Sequence, residues 1–330
     1  MTDLQLSLAT GRSLRFDALV SGRVRPQGVA FVYSQVHPSE LFWRQLTFAE
    51  FDVSEMSLSS LFIAWSRGMR DWVALPVFPR REFFHARIMV RDGCGVEQPS
   101  DLVGRRVGVP EYQQTAAVWS RGVLSDEFGV GAADMEWFME RPPQLSHGSA
   151  TAFIPPPGVR LSYIAPPDTM TAMVARAELE AVLLFITEPT LADRSVRAIR
   201  SAEGMHPLFA DAVGEVARYY GKTGILPVNH CVVVRRALVE QHPWLPLNLY
   251  AAFDEARRAA HQEARAYVRL AAQLGRITLD SPAAEADPFP YGLAQNRRAI
   301  DALLRYQVEQ GLIDKAPVVE DVFAPSTQNL

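Results

Sequence analysis

The chain has 330 residues, 48% of them hydrophobic and 21% charged, which is more than one ordinary compact domain holds and about right for two. Its net charge of −4 at pH 7 offers no basic surface, so neither nucleic acid nor an anionic membrane is the expected partner, and a small molecule is. The opening Met1-Thr2-Asp3-Leu4 carries no basic region leading into an apolar stretch, and no run of about 20 apolar residues follows, so a cytoplasmic location without a membrane span is expected.

Short apolar runs alternate with helix-like stretches, the mark of α/β architecture. Leu4–Ala9 and Gly28–Tyr33 read as strands, and residues 40–48 as a helix capped by Ser39. Phe51–Met56 and Val73–Phe78 read as further strands, and His85–Val90 as a continuation of the same sheet. The pattern then restarts, with a strand at Arg106–Val109, a helix over Gln113–Phe128 and a strand at Met135–Phe138. Residues 139–160, rich in Pro, Ser and Gly, read as an irregular surface excursion. A helix at Thr169–Ala177, a buried strand at Ala181–Ile186, helix near 206–220 and a strongly apolar strand at Leu226–Val234 follow. From Trp244 the chain is mostly helical, with a Pro-rich break near 282–290. The restart and the return strand imply two lobes, residues 1–95 with 219–330 and residues 96–218, closing on a ligand in the cleft between them.

Four stretches carry candidate chemistry. In FDVSEMSLSS (51–60) a strand ends in Ser54, Glu55, Ser57 and Ser59; Glu55 is either solvated beside a helix cap, or bonded to a substrate phenol or a histidine. RREFFHARIMV (80–90) places Arg80, Arg81 and Arg87 around His85, which is either structural or a functional group beside guanidiniums suited to carboxylates. GVPEYQQTAAVWSRG (108–122) runs from a strand end into a helix start, where Gln113, Gln114 and Thr115 could bind an anion through free N–H groups. Trp119 lies one turn beyond Thr115, as core or as pocket wall. KTGILPVNH (222–230) puts Asn229 and His230 in an apolar strand, where His230 is either a satisfied core group or a catalytic one. P-loop, dinucleotide-binding, GxSxG and HExxH patterns are missing, and the seven histidines show no metal-binding spacing. Cys94 and Cys231 form no CxxC pair and are expected as buried thiols.

Taken together, LSLATG, RVRPQGV (23–29), HPSELFWRQL (37–46), FDVSEMSLSS, PVFPRREFFH (76–85), GRRVGVPEYQQTAAVWSRG (104–122), YYGKTGILPVNHCVVVRR (219–236), PYGLAQNR (290–297), LLRYQVEQGLID (303–314) and FAPST (323–327) resemble the 4,5-dihydroxyphthalate decarboxylase family, in order and over nearly the whole chain. The resemblance implies a type II periplasmic-binding-protein-like fold, each lobe a mixed sheet flanked by helices. It implies a carboxy-lyase of aromatic catabolism that converts 4,5-dihydroxyphthalate to protocatechuate, or acts on a close analogue, with no organic cofactor; no metal-binding residues are assigned, and a metal held by residues distant in sequence is left open. Such chemistry asks for a proton donor and for cationic or N–H partners to a small aromatic carboxylate. His85 or His230 is the expected donor and Glu55 its partner. Arg81, Arg121, Gln113, Gln114, Thr115, Trp119 and Ser57 are the expected substrate contacts. The main rival is a non-catalytic solute-binding protein for an aromatic carboxylate. An enzyme of another chemistry on this fold and a small-molecule sensor are the others. Assembly into a homo-oligomer is left open.

Overall fold

A computed structural model of the chain describes residues 3–183, 190–195, 204–279 and 286–330. Strands β1 (Leu4–Thr10), β2 (Val29–Gln35), β3 (Val53–Ser57) and β4 (Trp72–Leu75) are accompanied by helices α1 (Asp17–Val20), α2 (Pro38–Phe48) and α3 (Leu58–Ser66). Next come β5 (Met89–Arg91), β6 (Arg106–Val109), α4 (Thr115–Phe128), β7 (Glu136–Met139), α5 (His147–Ala150), β8 (Arg160–Tyr163), α6 (Met170–Ala175), β9 (Ala181–Val182) and β10 (Met205–Pro207). Helix α7 (Ala212–Thr223) leads to β11 (His230–Arg235), followed by α8 (Arg236–Gln241), α9 (Leu245–Gln273), α10 (Leu293–Glu309) and α11 (Val319–Val322).

The strands build two sheets, ordered β2-β1-β3-β11-β4 and β10-β5-β9-β6-β7-β8. In the first, β1 is parallel to β2 and β3, while β11 runs antiparallel to β3 and β4. In the second, β9, β6, β7 and β8 are mutually parallel. The run Cys231–Val234 is buried on both faces because β11 is a central strand with covered sides, which is why its sequence reads as continuous apolar rather than alternating. The chain passes between sheets after Leu75 and before Met89, and returns after Pro207 and before His230.

The local reading needs four corrections. Residues 84–87 form a 3-10 turn, and the strand that follows, Met89–Arg91, belongs to the second sheet rather than continuing the first. Helix α2 is capped by His37, whose ring accepts from the Ser39 N–H, because Pro38 occupies the first helical position. Helix α4 begins at Thr115, not Gln113. Residues 139–160 are not a surface excursion, since Arg141, Ser146, His147 and Thr151 are buried. The expected strand at Ala181–Ile186 is seen as Ala181–Val182, and its residues 184–186 lie outside the described residues, as do 282–285 of the Pro-rich break. Cys231 is buried and Cys94 half-buried, both free thiols.

Helices α4 and α10 approach closely at Gly122, where an added Cβ would lie 2.3 Å from the Tyr306 ring. The same ring packs edge-on against Trp119, 5.5 Å between centroids, and its hydroxyl donates to Asp126 at 2.7 Å. This contact locks α10 onto a helix whose first turn faces the cavity described next.

Candidate active site

Parallel α/β sheets bind ligands beyond the carboxyl ends of their strands. Here a cavity of about 430 Å³ lies at such ends of both sheets. Arg12 follows β1, Val36 and His37 follow β2, Ser57 closes β3, Gln114 and Thr115 follow β6, and Arg141 follows β7. Because β11 is antiparallel to β3, its first residue His230 and the preceding Asn229 stand beside the end of β3 and complete the wall.

The center of the first-sheet side is a histidine–carboxylate pair. His230 is paired across the ladder with Ser57, and Glu55 with Val232, so the His230 and Glu55 side chains are diagonal neighbours. His230 Nδ1 lies 2.6 Å from Glu55 Oε1, and the other carboxylate oxygen accepts the Gly11 N–H at 2.8 Å. Gly11 allows this approach, since a Cβ there would meet Pro38 at 3.0 Å and Glu55 at 3.3 Å. Burial pushes Glu55 up, but the His230 and Gly11 hydrogen bonds outweigh it and hold the carboxyl below its usual range. Burial lowers the His230 pKa, which Glu55 only partly offsets and nearby Arg80 lowers further. A carboxylate at Nδ1 fixes the tautomer with its proton there. Nε2 is then an acceptor, met by the Asn229 amide at 2.8 Å. Phe42 packs edge-on against the His230 ring at 4.8 Å.

The second-sheet side is a polar cluster. Arg141 makes a bidentate ion pair with Asp193 at 2.5 and 3.0 Å and reaches His147 Nε2 at 3.2 Å. His147 Nδ1 contacts Ser60 Oγ at 2.9 Å. Burial, then Arg141 and His230, push His147 well below the usual imidazole value, so it is neutral and accepts from the guanidinium. Behind it, Glu111 accepts from Ser146 Oγ at 2.8 Å and the His147 N–H at 3.0 Å, and burial raises its pKa. Hydroxyls join the two sheets: Thr115 Oγ1 lies 2.9 Å from Ser57 Oγ and accepts the Ser59 N–H at 2.9 Å. The start of α4 lacks a side-chain cap, and its first-turn residues Thr115 and Ala116 line the cavity.

The wall thus carries Arg12, Arg80, Arg141, His37, His147 and His230. Arg12 is exposed and has no hydrogen bond or ion pair among the described residues, while exposed Arg80 is paired with half-buried Glu82 at 3.0 Å. Such a wall suits an anionic ligand. Among the described residues no group of His, Cys, Asp and Glu is arranged to hold a metal.

Of the residues expected from sequence, Ser57, Gln114, Thr115 and His230 line the cavity, with Glu55 directly behind His230. The others do not line it. His85 is buried against Glu215 at 3.2 Å, among Phe83, Phe209 and Tyr219, because the 3-10 turn aims it at α7; its neighbour Phe84 reaches the cavity instead. Arg81 bridges to Val228 and donates to the Pro290 carbonyl at 2.7 Å and to Asn296, which turns it away from the cavity while adjacent Arg80 faces in. Arg121 is buried over the Tyr112 ring and bonded to Gln310 and the Tyr112 carbonyl. Trp119 donates to the Val228 carbonyl, and Gln113 pairs with Thr151. Sequence reasoning did not select Arg12, Arg141 or His147, and it named Asn229 without giving it a role. The signal available for Arg12 and Arg141 was a cation just after an apolar parallel strand.

Solved structures with the same fold include the periplasmic aliphatic sulphonate binding protein SsuA from Escherichia coli, 14% identical with a TM-score of 0.54 over 99% of each chain. A mutant of the desulfurization enzyme DSZB in complex with biphenyl-2-sulfinic acid is likewise 14% identical, with a TM-score of 0.54 over 99% of this chain and 98% of that one. The fold is therefore the type II periplasmic-binding-protein fold, known both in binding proteins and in an enzyme. No family model matches the chain. A 4,5-dihydroxyphthalate decarboxylase of Comamonas testosteroni is 33% identical over 342 residues, covering 99% of this chain and 98% of the relative. One of Pseudomonas putida is 36% identical over 183 residues, covering 56% of this chain and 71% of the relative. The chain belongs to the 4,5-dihydroxyphthalate decarboxylase family, a family of carboxy-lyases.

Proposed function

We propose that the protein removes one carboxylate from 4,5-dihydroxyphthalate, or a close hydroxylated phthalate, to give protocatechuate and carbon dioxide. The observation that carries the reading is the buried His230–Glu55 pair opening into a cavity walled by guanidiniums and a helix start. Two carboxylates are costly to bury without partners. Arg141, Arg80, Arg12 and the first turn of α4 supply them. The lobes expected from sequence, 1–95 with 219–330 and 96–218, would close over the ring and exclude water.

Loss of carboxylate from an aromatic ring requires a proton at the ring carbon that bears it. A hydroxyl para to that carbon donates electron density and stabilises the protonated ring. His230 is the proton donor: its imidazolium keeps Nδ1–H on Glu55 and, once the Asn229 amide has released Nε2, presents Nε2–H to the ring. In the free protein, burial favours neutral His230. A bound carboxylate a few ångströms away favours the imidazolium, so substrate itself loads the acid. The proton moves from Nε2 to the ring carbon, the carbon–carboxylate bond breaks, its electron pair restores the aromatic ring, and carbon dioxide leaves. Water then reprotonates the imidazole. General acid catalysis is worth about 10²–10⁴-fold, and fixed cations supply further stabilisation.

Incubation with 4,5-dihydroxyphthalate, monitored for carbon dioxide and for protocatechuate by mass, tests the reading. Reversible binding without any ring product would sink it in favour of a solute-binding role.

A further inference from the structure

We infer that Arg15 is a positioning residue for Arg80: it clamps the peptide that precedes Arg80 and so aims that guanidinium into the cavity. The inference rests on the proposed reading of the cavity as a site for an aromatic carboxylate and deepens it.

Arg80 needs such support. It lies on the connection that leaves the first sheet after Leu75 and enters the second at Met89, outside every named strand. Pro79 comes just before it and has no N–H to offer a ladder. The direction of the Arg80 side chain is set by the two peptide planes that flank its Cα. The plane after it is held by backbone contacts: the Arg80 carbonyl accepts the Asn229 N–H at 2.9 Å, and Arg81 bridges to Val228. The plane before it is held by a side chain. Its oxygen, the Pro79 carbonyl, accepts from Arg15 Nε at 3.0 Å and from Arg15 Nη2 as well. With both planes fixed, the Cα–Cβ direction of Arg80 is fixed, and Arg80 lines the cavity.

Arg15 sits in the turn between β1 and α1, half-buried, with its guanidinium 3.8 Å from the centre of the Phe289 ring. It has no carboxylate partner among the described residues, and both of its hydrogen bonds go to one carbonyl. Burial lowers its pKa and the charge of Arg80 adds to this, against the raising pull of Tyr291 and Glu55. Partly burying a cation beside a like charge is costly, and the Phe289 ring and the Pro79 carbonyl offset that cost. The repulsion between the two guanidiniums also favours an Arg80 turned away from Arg15, which does not itself line the cavity. Three arginines thus meet at residues 79–81. Arg15 and Arg81 are spent on carbonyls of the frame, and Arg80, near the His230–Glu55 pair, is left for a ligand.

The test is a double-mutant cycle: dissociation constants of phthalate by titration calorimetry for the wild type, Arg15→Met, Arg80→Met and the double variant, with melting temperatures alongside. Arg80→Met should weaken phthalate about tenfold or more, the loss of one charge-assisted contact. Arg15→Met should weaken it about threefold or more from outside the cavity, and by less than about twofold once Arg80 is already Met. A purely structural Arg15 would lower the melting temperature in both backgrounds and leave the affinity of folded protein unchanged. If Arg15→Met does not fold, Phe289→Leu takes its place in the cycle, since it removes the ring under Arg15 and keeps the donors. Unchanged affinity in the folded variant overturns the inference, as does a loss of equal size with and without Arg80, or a wild type that does not bind phthalate. Coupled losses without carbon dioxide release from 4,5-dihydroxyphthalate would leave this inference standing and remove the proposed reaction; release with uncoupled losses would do the reverse.

Discussion

His230 and Glu55 meet at 2.6 Å although 175 positions separate them in the chain, and the carboxylate oxygen not facing the imidazole is held by the Gly11 N–H. The pair is preformed and buried, so the imidazole is oriented before any ligand arrives. Glu55→Gln keeps an acceptor for Gly11 and the size of the side chain but removes the charge that stabilises the imidazolium. The expected outcome is a loss of about 10–100-fold in kcat, the range seen when an orienting partner is removed, with the melting temperature little changed. His230→Gln should lose about 10²–10⁴-fold. Steady-state kinetics with thermal melts on the same samples checks both, and full activity in either variant would move the acid elsewhere.

The two neighbouring arginines should separate cleanly. Arg81 is buried, its pKa lowered to about 10 by desolvation, and it ties the segment after β4 to the Pro290 carbonyl and Asn296. Arg81→Met should cost about 2–4 kcal/mol of stability by orphaning those acceptors, with activity per folded molecule nearly unchanged. Arg80→Met should leave stability nearly intact and reduce kcat/KM about tenfold or more, as expected for a charge-assisted contact to a carboxylate. Denaturant unfolding and initial rates on both variants decide the matter; the reverse pattern would mean that Arg81 turns into the cavity.

His85→Ala should act on folding. His85 packs between the rings of Phe83, Phe209 and Tyr219 and bonds Glu215, which Arg218 also holds at 2.7 Å. Because Glu215 keeps that second partner, the loss should stay near about 1–3 kcal/mol. The melting temperature should fall while kcat of the folded fraction persists. A collapse of kcat at unchanged melting temperature would restore His85 as a candidate donor.

Acid should destabilise the protein earlier than carboxylate titration alone would. Burial holds His85, His147 and His230 below the ordinary 6.5. Below that pH the unfolded chain binds protons at these positions that the folded chain does not, so stability falls as pH falls. Glu111, raised by burial, acts in the opposite direction, but with one proton against three. The melting temperature should therefore drop between pH 7 and about 5, and His147→Gln should flatten the slope. A melting temperature that stays level or rises over that interval would contradict the neutral state of these rings.

The pH dependence of turnover carries a further signature. If His230 donates the proton, kcat/KM should decline as pH rises through its free-protein pKa, below 6.5. The decline in kcat should lie at higher pH, because bound carboxylate favours the imidazolium. Coincident limbs in the two profiles would remove His230 from that role.

The sequence by itself determined the architecture. Leu6 and Leu8 on the inner face of β1, the continuous apolar run of β11 and the strand-to-helix turn between β6 and α4 are local patterns, and local patterns survive into the fold because they record backbone periodicity and burial. His230 was legible as a candidate because it stands polar in an apolar run, and Glu55 because it stands among hydroxyl residues at a strand end. Tertiary structure alone decided which candidates meet. Arg80 and Arg81 are chemically identical and adjacent, and only the bridge of Arg81 to Val228 determines that one faces the cavity and the other α10. Arg141 and His147 came from a stretch whose composition reads as surface loop, and they are buried because Asp193, Ser60 and Glu111, all distant in sequence, satisfy them. A polar side chain can be buried where partners await it, and the partners are set by the packing of two sheets, which no local window contains.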